Sequence, residues 1–109
     1  VLLYRNDRGR LADVGAELGM PRAGGHELRG LSWGDFDRDG DVDLLGGATR
    51  SEHRTVVMRN DGRAGFNDVA DEIGLSIPGR SARQTNWVDF DNDVDLDVYA
   101  SNRVVPNAL

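Results

Sequence analysis

The chain has 109 residues, of which 39% are hydrophobic and 6% aromatic, enough for one small domain with a modest core. It contains no cysteine, which excludes a disulfide framework, thiolate zinc sites and cysteine catalysis. The net charge of −6 arises locally, because ten of the 19 acids lie in segments 35–43 and 89–97. The sequence has no basic, aromatic-rich segment of the kind that binds nucleic acid. It also has no apolar run long enough to span a membrane.

The sequence repeats with a period of about 54 residues. Segment 31–37, Leu-Ser-Trp-Gly-Asp-Phe-Asp, recurs at 85–91 as Thr-Asn-Trp-Val-Asp-Phe-Asp. Arg-Asn-Asp at 5–7 recurs at 59–61. We therefore expect tandem repeats over 1–109, with a first period at approximately 1–54 and a second at 55–109.

Four short strands are predicted within one period. In chain order they are Gly30–Phe36, Val42–Ala48, Thr55–Asn60 and Phe66–Val69, and a helical turn at Ala70–Gly74 follows them. Turn residues separate these segments: Gly24-Gly25, Asp39-Gly40, Asp61-Gly62 and Pro78-Gly79. Four strands in a unit of roughly 50 residues are typical of a propeller blade, whereas a β-solenoid usually has shorter repeats.

The predicted fold class is therefore all-β, with two four-stranded blade units of a β-propeller, cut mid-blade. The frame places strands three and four of one unit at residues 1–20. A whole unit occupies about 28–75, and strands one and two of another occupy about 83–102.

Each period carries an acidic loop between its first two strands. Loop one, residues 35–43, and loop two, residues 89–97, each hold five aspartates in nine positions. Such acids repel one another, and a hard divalent cation removes that cost. Calcium takes six to eight oxygen ligands, and carboxylates at positions 1, 3 and 5 with a carbonyl at position 7 can wrap one ion. Gly40 supplies the sharp turn at position 6.

An EF-hand does not fit these loops. It requires a bidentate glutamate at position 12 and a following helix. Position 12 is Gly46 in loop one and Ala100 in loop two, and both loops run on into predicted strands. The acid at position 9 would then have to replace the missing glutamate. A polar turn with solvated acids is the simpler alternative, and its recurrence at the same phase argues against it.

The combined pattern resembles the FG-GAP/VCBS repeat. The matching segments are W-G-D-F-D-x-D-G-D-x-D-L, then L-Y-R-N-D, then F-x-D-V-A-x-E-x-G-L. They are most similar to the ASPIC/UnbV and cartilage-acidic-protein group, with integrin α-chain propellers as distant relatives. The resemblance implies a seven- or eight-bladed propeller, calcium loops between the first two strands of a blade, and mostly extracellular adhesion or ligand binding.

The resemblance also implies a set of Ca²⁺ ligands. In loop one these are the carboxylates of Asp35, Asp37, Asp39 and Asp43 with the backbone carbonyl of Asp41. In loop two they are the carboxylates of Asp89, Asp91, Asp93 and Asp97 with the backbone carbonyl of Asp95. Val94 departs from the pattern, which has glycine there. A β-branched residue at positive φ costs roughly 1–2 kcal/mol, so loop two is expected to bind about tenfold more weakly or to adopt another turn.

The predicted function is a non-catalytic, calcium-binding scaffold or a module for ligand or adhesion recognition, located extracellularly or in the cell envelope. Its expected partners are other propeller blades, either from the same longer chain or from identical chains joined head to tail, and a protein or carbohydrate ligand. Two alternatives stay open: part of a propeller-type enzyme, polysaccharide-lyase-like or biosynthetic, whose active face needs other blades, and a short chain that self-assembles into a closed propeller. The start at Val1 rather than methionine favours an excerpt of a longer polypeptide.

Two further residue pairs recur at equal phase. Trp33 and Trp87 precede the acidic loops, and we predict that they pack between blades rather than bind a ligand. Asn6 and Asn60 each precede an aspartate at a turn, and we predict that their side chains cap those turns.

Overall fold

A computed structural model describes residues 1–20, 28–48, 54–76 and 82–102. Its strands are β1 Tyr4–Asp7, β2 Arg10–Asp13, β3 Leu28–Gly34, β4 Asp43–Ala48, β5 Val56–Asn60, β6 Phe66–Asp68, β7 Ala82–Val88 and β8 Asp97–Asn102, with a 3₁₀ turn at Gly62–Ala64. The predicted turns at Gly24-Gly25 and Pro78-Gly79 lie outside the described residues. Within the described ranges, no helix is both long and apolar enough to cross a bilayer.

The strands form three antiparallel sheets, ordered β1-β2, β3-β4-β5-β6 and β7-β8. This confirms the all-β fold class and is consistent with part of a β-propeller. The four predicted strands are all present, with ends within two residues of the predictions. The helical turn after β6 is also present, since the Ile73 amide donates to the Val69 carbonyl at 3.1 Å.

Strand β3 is the element whose predicted bounds differ most. It begins at Leu28 instead of Gly30, because a bulge between Arg29 and Leu31 lets its pairing with β4 continue. Gly30 sits in that bulge at φ 59°, a conformation that glycine adopts without a steric penalty. The strand ends at Gly34, because the acidic loop begins at the next residue.

The four-stranded sheet lies between the other two sheets and has a hydrophobic cluster on each face. The cluster toward residues 1–20 contains Met20, Leu44, Val56, Met58 and Phe66. The cluster toward β7 and β8 contains Leu45, Val57, Val69 and Ala70, with Trp87 and Val98 packed against it. Strand β4 is therefore buried along its whole length, and consecutive residues of it serve opposite clusters.

The predicted asparagine caps are confirmed. The Asn6 side-chain oxygen accepts a 2.7 Å hydrogen bond from the Gly9 amide, within the turn between β1 and β2. Arg8 and Gly9 both have positive φ, 55° and 91°, which is typical of a type I′ hairpin turn. The Asn60 oxygen accepts a 3.2 Å hydrogen bond from the Gly62 amide after β5.

The two tryptophans differ in their surroundings. Trp87 packs between the four-stranded sheet and β7-β8, where it stacks on Phe36 with a centroid distance of 5.5 Å and an interplanar angle of 4°. Trp33 is 47% exposed and meets Phe66 edge-on at 6.2 Å. The packing prediction is thus confirmed for Trp87, whereas Trp33 is only half covered.

Candidate metal centre

The two acidic loops occupy equivalent places in the fold. Loop one joins β3 to β4, and loop two joins β7 to β8. Each bends through two residues with positive φ: Arg38 at 62° and Gly40 at 94°, and Asn92 at 63° and Val94 at 77°. Loop two therefore keeps the turn of loop one although it has valine at the sixth position.

Hydrogen bonds from backbone amides hold the carboxylates of loop one. The two Asp35 oxygens accept from the amides of Asp39 and Gly40 at 3.1 and 3.0 Å. The Asp39 amide also donates to Asp37 at 3.3 Å. The Asp39 carboxylate accepts from the Asp41 amide at 2.8 Å. The loop thus folds around its own acidic side chains.

Loop two repeats this pattern bond for bond, 54 residues later. The two Asp89 oxygens accept from the amides of Asp93 and Val94 at 3.1 and 3.0 Å. The Asp93 amide also donates to Asp91 at 3.3 Å, and the Asp93 carboxylate accepts from the Asp95 amide at 2.8 Å. Similar local sequence has therefore produced the same hydrogen-bonded loop twice.

Three carboxylates converge in each loop. In loop one, Asp35, Asp37 and Asp39 each bring one oxygen within 4.8 Å of the others. In loop two, the converging residues are Asp89, Asp91 and Asp97. The two sets share positions 1 and 3 and differ in the third member, which is position 5 in loop one and position 9 in loop two.

Asp43, at position 9 of loop one, anchors the loop to the sheet. It is fully buried, and its two oxygens accept from the amides of Phe36 at 3.0 Å and Asn60 at 2.8 Å. Its loop-two equivalent, Asp97, is half-buried and accepts from the Phe90 amide at 3.2 Å. Asp43 thus ties the acidic loop to the end of β5.

Burial and neighbouring negative charges raise the pKa of one carboxyl group in each loop. Burial raises the pKa of Asp43; hydrogen bonds from Asn60 and Phe36 partly offset this, and the charges of Asp37 and Asp39 add to it. A raised carboxyl pKa means that ionisation of Asp43 works against folding at neutral pH. Desolvation likewise raises the pKa of Asp91, and its acidic neighbours in loop two, of which Asp93 is the strongest, raise it further.

An ion pair joins the two loops. The Arg38 guanidinium of loop one contacts the Asp95 carboxylate of loop two. Both side chains are more than half exposed, so the pair contributes little to stability. Arg38 and Asn92 occupy the same position in their loops, and neither residue type indicates which residue it contacts. The ion pair therefore cannot be predicted from the sequence.

The donor chemistry of both loops fits calcium. Every converging side chain offers a carboxylate oxygen, and no soft ligand is among them. The predicted carboxylates of Asp35, Asp37, Asp89, Asp91 and Asp97 lie in the converging groups, as does Asp39. The Asp93 carboxylate accepts a hydrogen bond within loop two, and the Asp43 carboxylate accepts hydrogen bonds from two backbone amides. The roles predicted for the backbone carbonyls of Asp41 and Asp95 stay predictions.

The chain is similar to known proteins over most of its length. Residues 35–100 match a family model described as an FG-GAP-like repeat. Over 102 residues the chain is 34% identical to cartilage acidic protein 1 of Xenopus tropicalis. It is 32% identical to the protein of that name from Homo sapiens and 33% identical to that from Mus musculus. Each alignment covers 93% of this chain, which spans about 15% of the length of each relative.

Proposed function

Because the chain belongs to the FG-GAP-like repeat family, we propose that it binds calcium and serves as a non-catalytic recognition or scaffold module. It is a repeat module of a propeller-like, non-enzymatic domain. Calcium binding in both acidic loops is the specific function that the loop geometry supports.

The observation that carries this proposal is the repetition of one hydrogen-bonded acidic loop in two places. Five hydrogen bonds of loop one recur in loop two, although the residue at position 6 differs. Carboxylate oxygens held within 4.8 Å of one another are mutually repulsive at neutral pH. A solvated polar turn would relieve that repulsion by spreading its acids apart, whereas a cation relieves it in place.

Calcium suits these loops better than magnesium. Calcium accepts six to eight oxygens in flexible geometry, whereas magnesium requires near-octahedral coordination and keeps several of its waters. Three converging carboxylates within one nine-residue loop match the larger ion, and the other two aspartates of each loop offer further oxygens. In this proposal the residues at positions 1, 3, 5 and 9 supply carboxylates and position 7 supplies a carbonyl.

The wider role follows from the relatives. The relatives are named after cartilage, a tissue rich in extracellular matrix. We extend this to an extracellular or cell-envelope location for this chain, where millimolar calcium would fill weak sites. Adhesion or ligand recognition through the propeller surface is part of the same proposal.

Titration calorimetry on the chelator-treated chain tests the proposal. We expect two calcium sites with dissociation constants of roughly 10⁻⁴–10⁻³ M, loop one being the tighter. Asp37→Ala should remove the tighter site and Asp91→Ala the weaker one. Glu72→Ala, which removes an exposed acid outside both loops, is the charge-matched control and should leave both sites intact.

Three results would contradict the proposal. One is the absence of any heat of binding when calcium is titrated into the chain. Another is equal loss of affinity in Glu72→Ala and Asp37→Ala, which would indicate a diffuse charge effect. The third is a magnesium affinity equal to that for calcium.

A further inference from the structure

The interface between the four-stranded sheet and β7-β8 shows how two repeat units pack. Trp87 stacks on Phe36 at 5.5 Å, and its backbone amide donates to the Ser32 hydroxyl at 3.3 Å. The Thr85 hydroxyl donates to the Gly30 carbonyl at 2.5 Å. These contacts fix the position of β7 over β3.

This packing depends on the absence of a side chain at position 34. A Cβ atom on Gly34 would lie 2.7 Å from Cδ1 of Trp87 and 3.0 Å from Cδ1 of Leu96. Gly47 is similarly close, since its Cβ would lie 2.9 Å from the Ala82 carbonyl. Contacts below 3 Å to an aromatic ring or a backbone atom require a shift of the packed strand. A tryptophan at this interface therefore requires a glycine opposite it.

The opposite face of β7-β8 is the repeat-related counterpart of that glycine-lined surface. With the shift of 54, Ser32, Gly34, Phe36 and Leu45 correspond to Asn86, Val88, Phe90 and Tyr99. We call these last four residues the outer face. They line a cleft of about 430 Å³ together with Trp87. Val88, Phe90 and Tyr99 are 37%, 53% and 37% exposed.

The outer face differs from its counterpart at two positions where the internal interface leaves no room for a Cβ. Val88 replaces Gly34, so a Cβ and two methyl groups occupy the volume that the Trp87 ring takes up at the internal interface. Tyr99 replaces Leu45 and Ser101 replaces Gly47, which adds further volume. Phe90 keeps the ring that Phe36 uses for stacking. The face has retained its apolar character and lost the room for a tryptophan.

A second copy of this chain would present a tryptophan there. On the four-stranded sheet, Trp33 corresponds to Trp87 and contacts Phe66, a member of the cluster toward residues 1–20. Trp33 and Leu31 are each 47% exposed. Head-to-tail joining in the internal geometry would place Trp33 of one copy against Val88 of the next. The two ends of the chain are thus similar in chemistry but not complementary in shape.

We infer that the outer face receives the β-sheet of a further FG-GAP-like repeat whose first strand carries a residue smaller than tryptophan at the position of Trp87, and that a second copy of this chain does not fit. The partner is a repeat because the outer face continues the packing direction of an interface already formed within the chain. This inference does not depend on calcium binding, so its test is run at one fixed calcium concentration.

Sedimentation velocity on the 109-residue chain and its variants tests the inference. The wild-type chain should not associate through this face. Val88→Gly combined with Ser101→Gly restores the two glycines of the internal interface and should lower the dissociation constant for head-to-tail self-association by about tenfold or more. Val88→Ala combined with Ser101→Gly is the matched control: it shortens the side chain at position 88 but keeps the Cβ that clashes, and it should stay close to wild type. Adding Phe90→Ala to the double glycine variant should reverse its gain.

A reciprocal variant covers the case in which the double glycine variant fails to fold. Trp33→Ala combined with Ser101→Gly removes the bulk of the tryptophan from the other side and should also promote association, which Phe90→Ala should again abolish. Wild-type association that Phe90→Ala abolishes would overturn the inference. With Ser101→Gly present in every variant, it would also be overturned if neither Val88→Gly nor Trp33→Ala gained association, or if Val88→Ala gained as much as Val88→Gly.

Discussion

Val94 provides the most direct test of the turn in loop two. It is 71% exposed and has φ 77°, in the left-handed region that β-branched residues avoid. That conformation costs roughly 1–2 kcal/mol, whereas a glycine there would lose about 0.5–1 kcal/mol through the greater entropy of its unfolded chain. Since little burial is lost with the exposed side chain, Val94→Gly should stabilise the protein by about 1 kcal/mol.

Gly40 allows the reciprocal change in loop one. It has φ 94°, and a Cβ at this position would meet no other atom within 4 Å. Gly40→Val therefore introduces backbone strain without a steric clash, and should destabilise the protein by about 1 kcal/mol. For a domain of this size, each change should move the melting temperature by about 4–8 °C, in opposite directions.

The assay is thermal unfolding of both variants at saturating calcium, with calcium titrations alongside. Strain that is present only in the calcium-bound loop will appear as affinity, up to about tenfold for loop two, and strain present throughout will appear only as stability. The reasoning is refuted if Gly40→Val destabilises the protein while Val94→Gly leaves both stability and affinity unchanged. That result would mean that loop two does not hold the left-handed turn in solution.

Three further changes test other parts of the structure. Asp43→Asn should lower the free energy of unfolding in calcium-free buffer by about 1–3 kcal/mol, because it leaves one buried amide without an acceptor. Urea denaturation should show a smaller loss for Asp97→Asn, and the reverse ranking would contradict the anchoring role of Asp43. Calcium at 100 times its dissociation constant should stabilise by about 2.7 kcal/mol per site and raise the melting temperature well above the value in magnesium; equal responses would exclude a dedicated calcium site. Gly34→Ala should cost about 1–3 kcal/mol in urea denaturation, since its Cβ would lie 2.7 Å from Trp87, while Val88→Ala on the outer face should cost about 0.5 kcal/mol or less; similar losses would mean that the two faces are not packed differently.

Most of the fold could be predicted from local pattern. The strands are marked by alternating apolar residues and by turn signals, and these are properties of neighbouring residues. The acidic loops could be predicted equally well, because most of their hydrogen bonds span five residues or fewer, such as that from the Gly40 amide to Asp35. The bulge at Gly30 was not predicted, since it depends on how β3 pairs with β4.

The contacts that were missed join residues distant in sequence. Asp43 was predicted as a calcium ligand, but its bond to the Asn60 amide, 17 residues away, follows only from the pairing of β4 with β5. The Arg38–Asp95 ion pair depends on two loops being brought side by side by the packing of β7 over β3. Neither residue type nor spacing carries information about such contacts.

Two differences between the repeats look alike in sequence and act through different physics. Gly40 and Val94 differ at a residue with positive φ, so the valine affects the backbone and could be recognised from the turn motif alone. Gly34 and Val88 differ at a strand position where valine is a favourable residue, so the sequence alone does not indicate a steric conflict there. The loss of packing space follows only from the structure, in which a Cβ on Gly34 would lie 2.7 Å from the Trp87 ring. The first substitution tunes a loop within one unit, whereas the second determines which unit can pack beside it. A propeller whose blades must assemble in a fixed order needs differences of the second kind, because identical faces would accept any neighbour equally well.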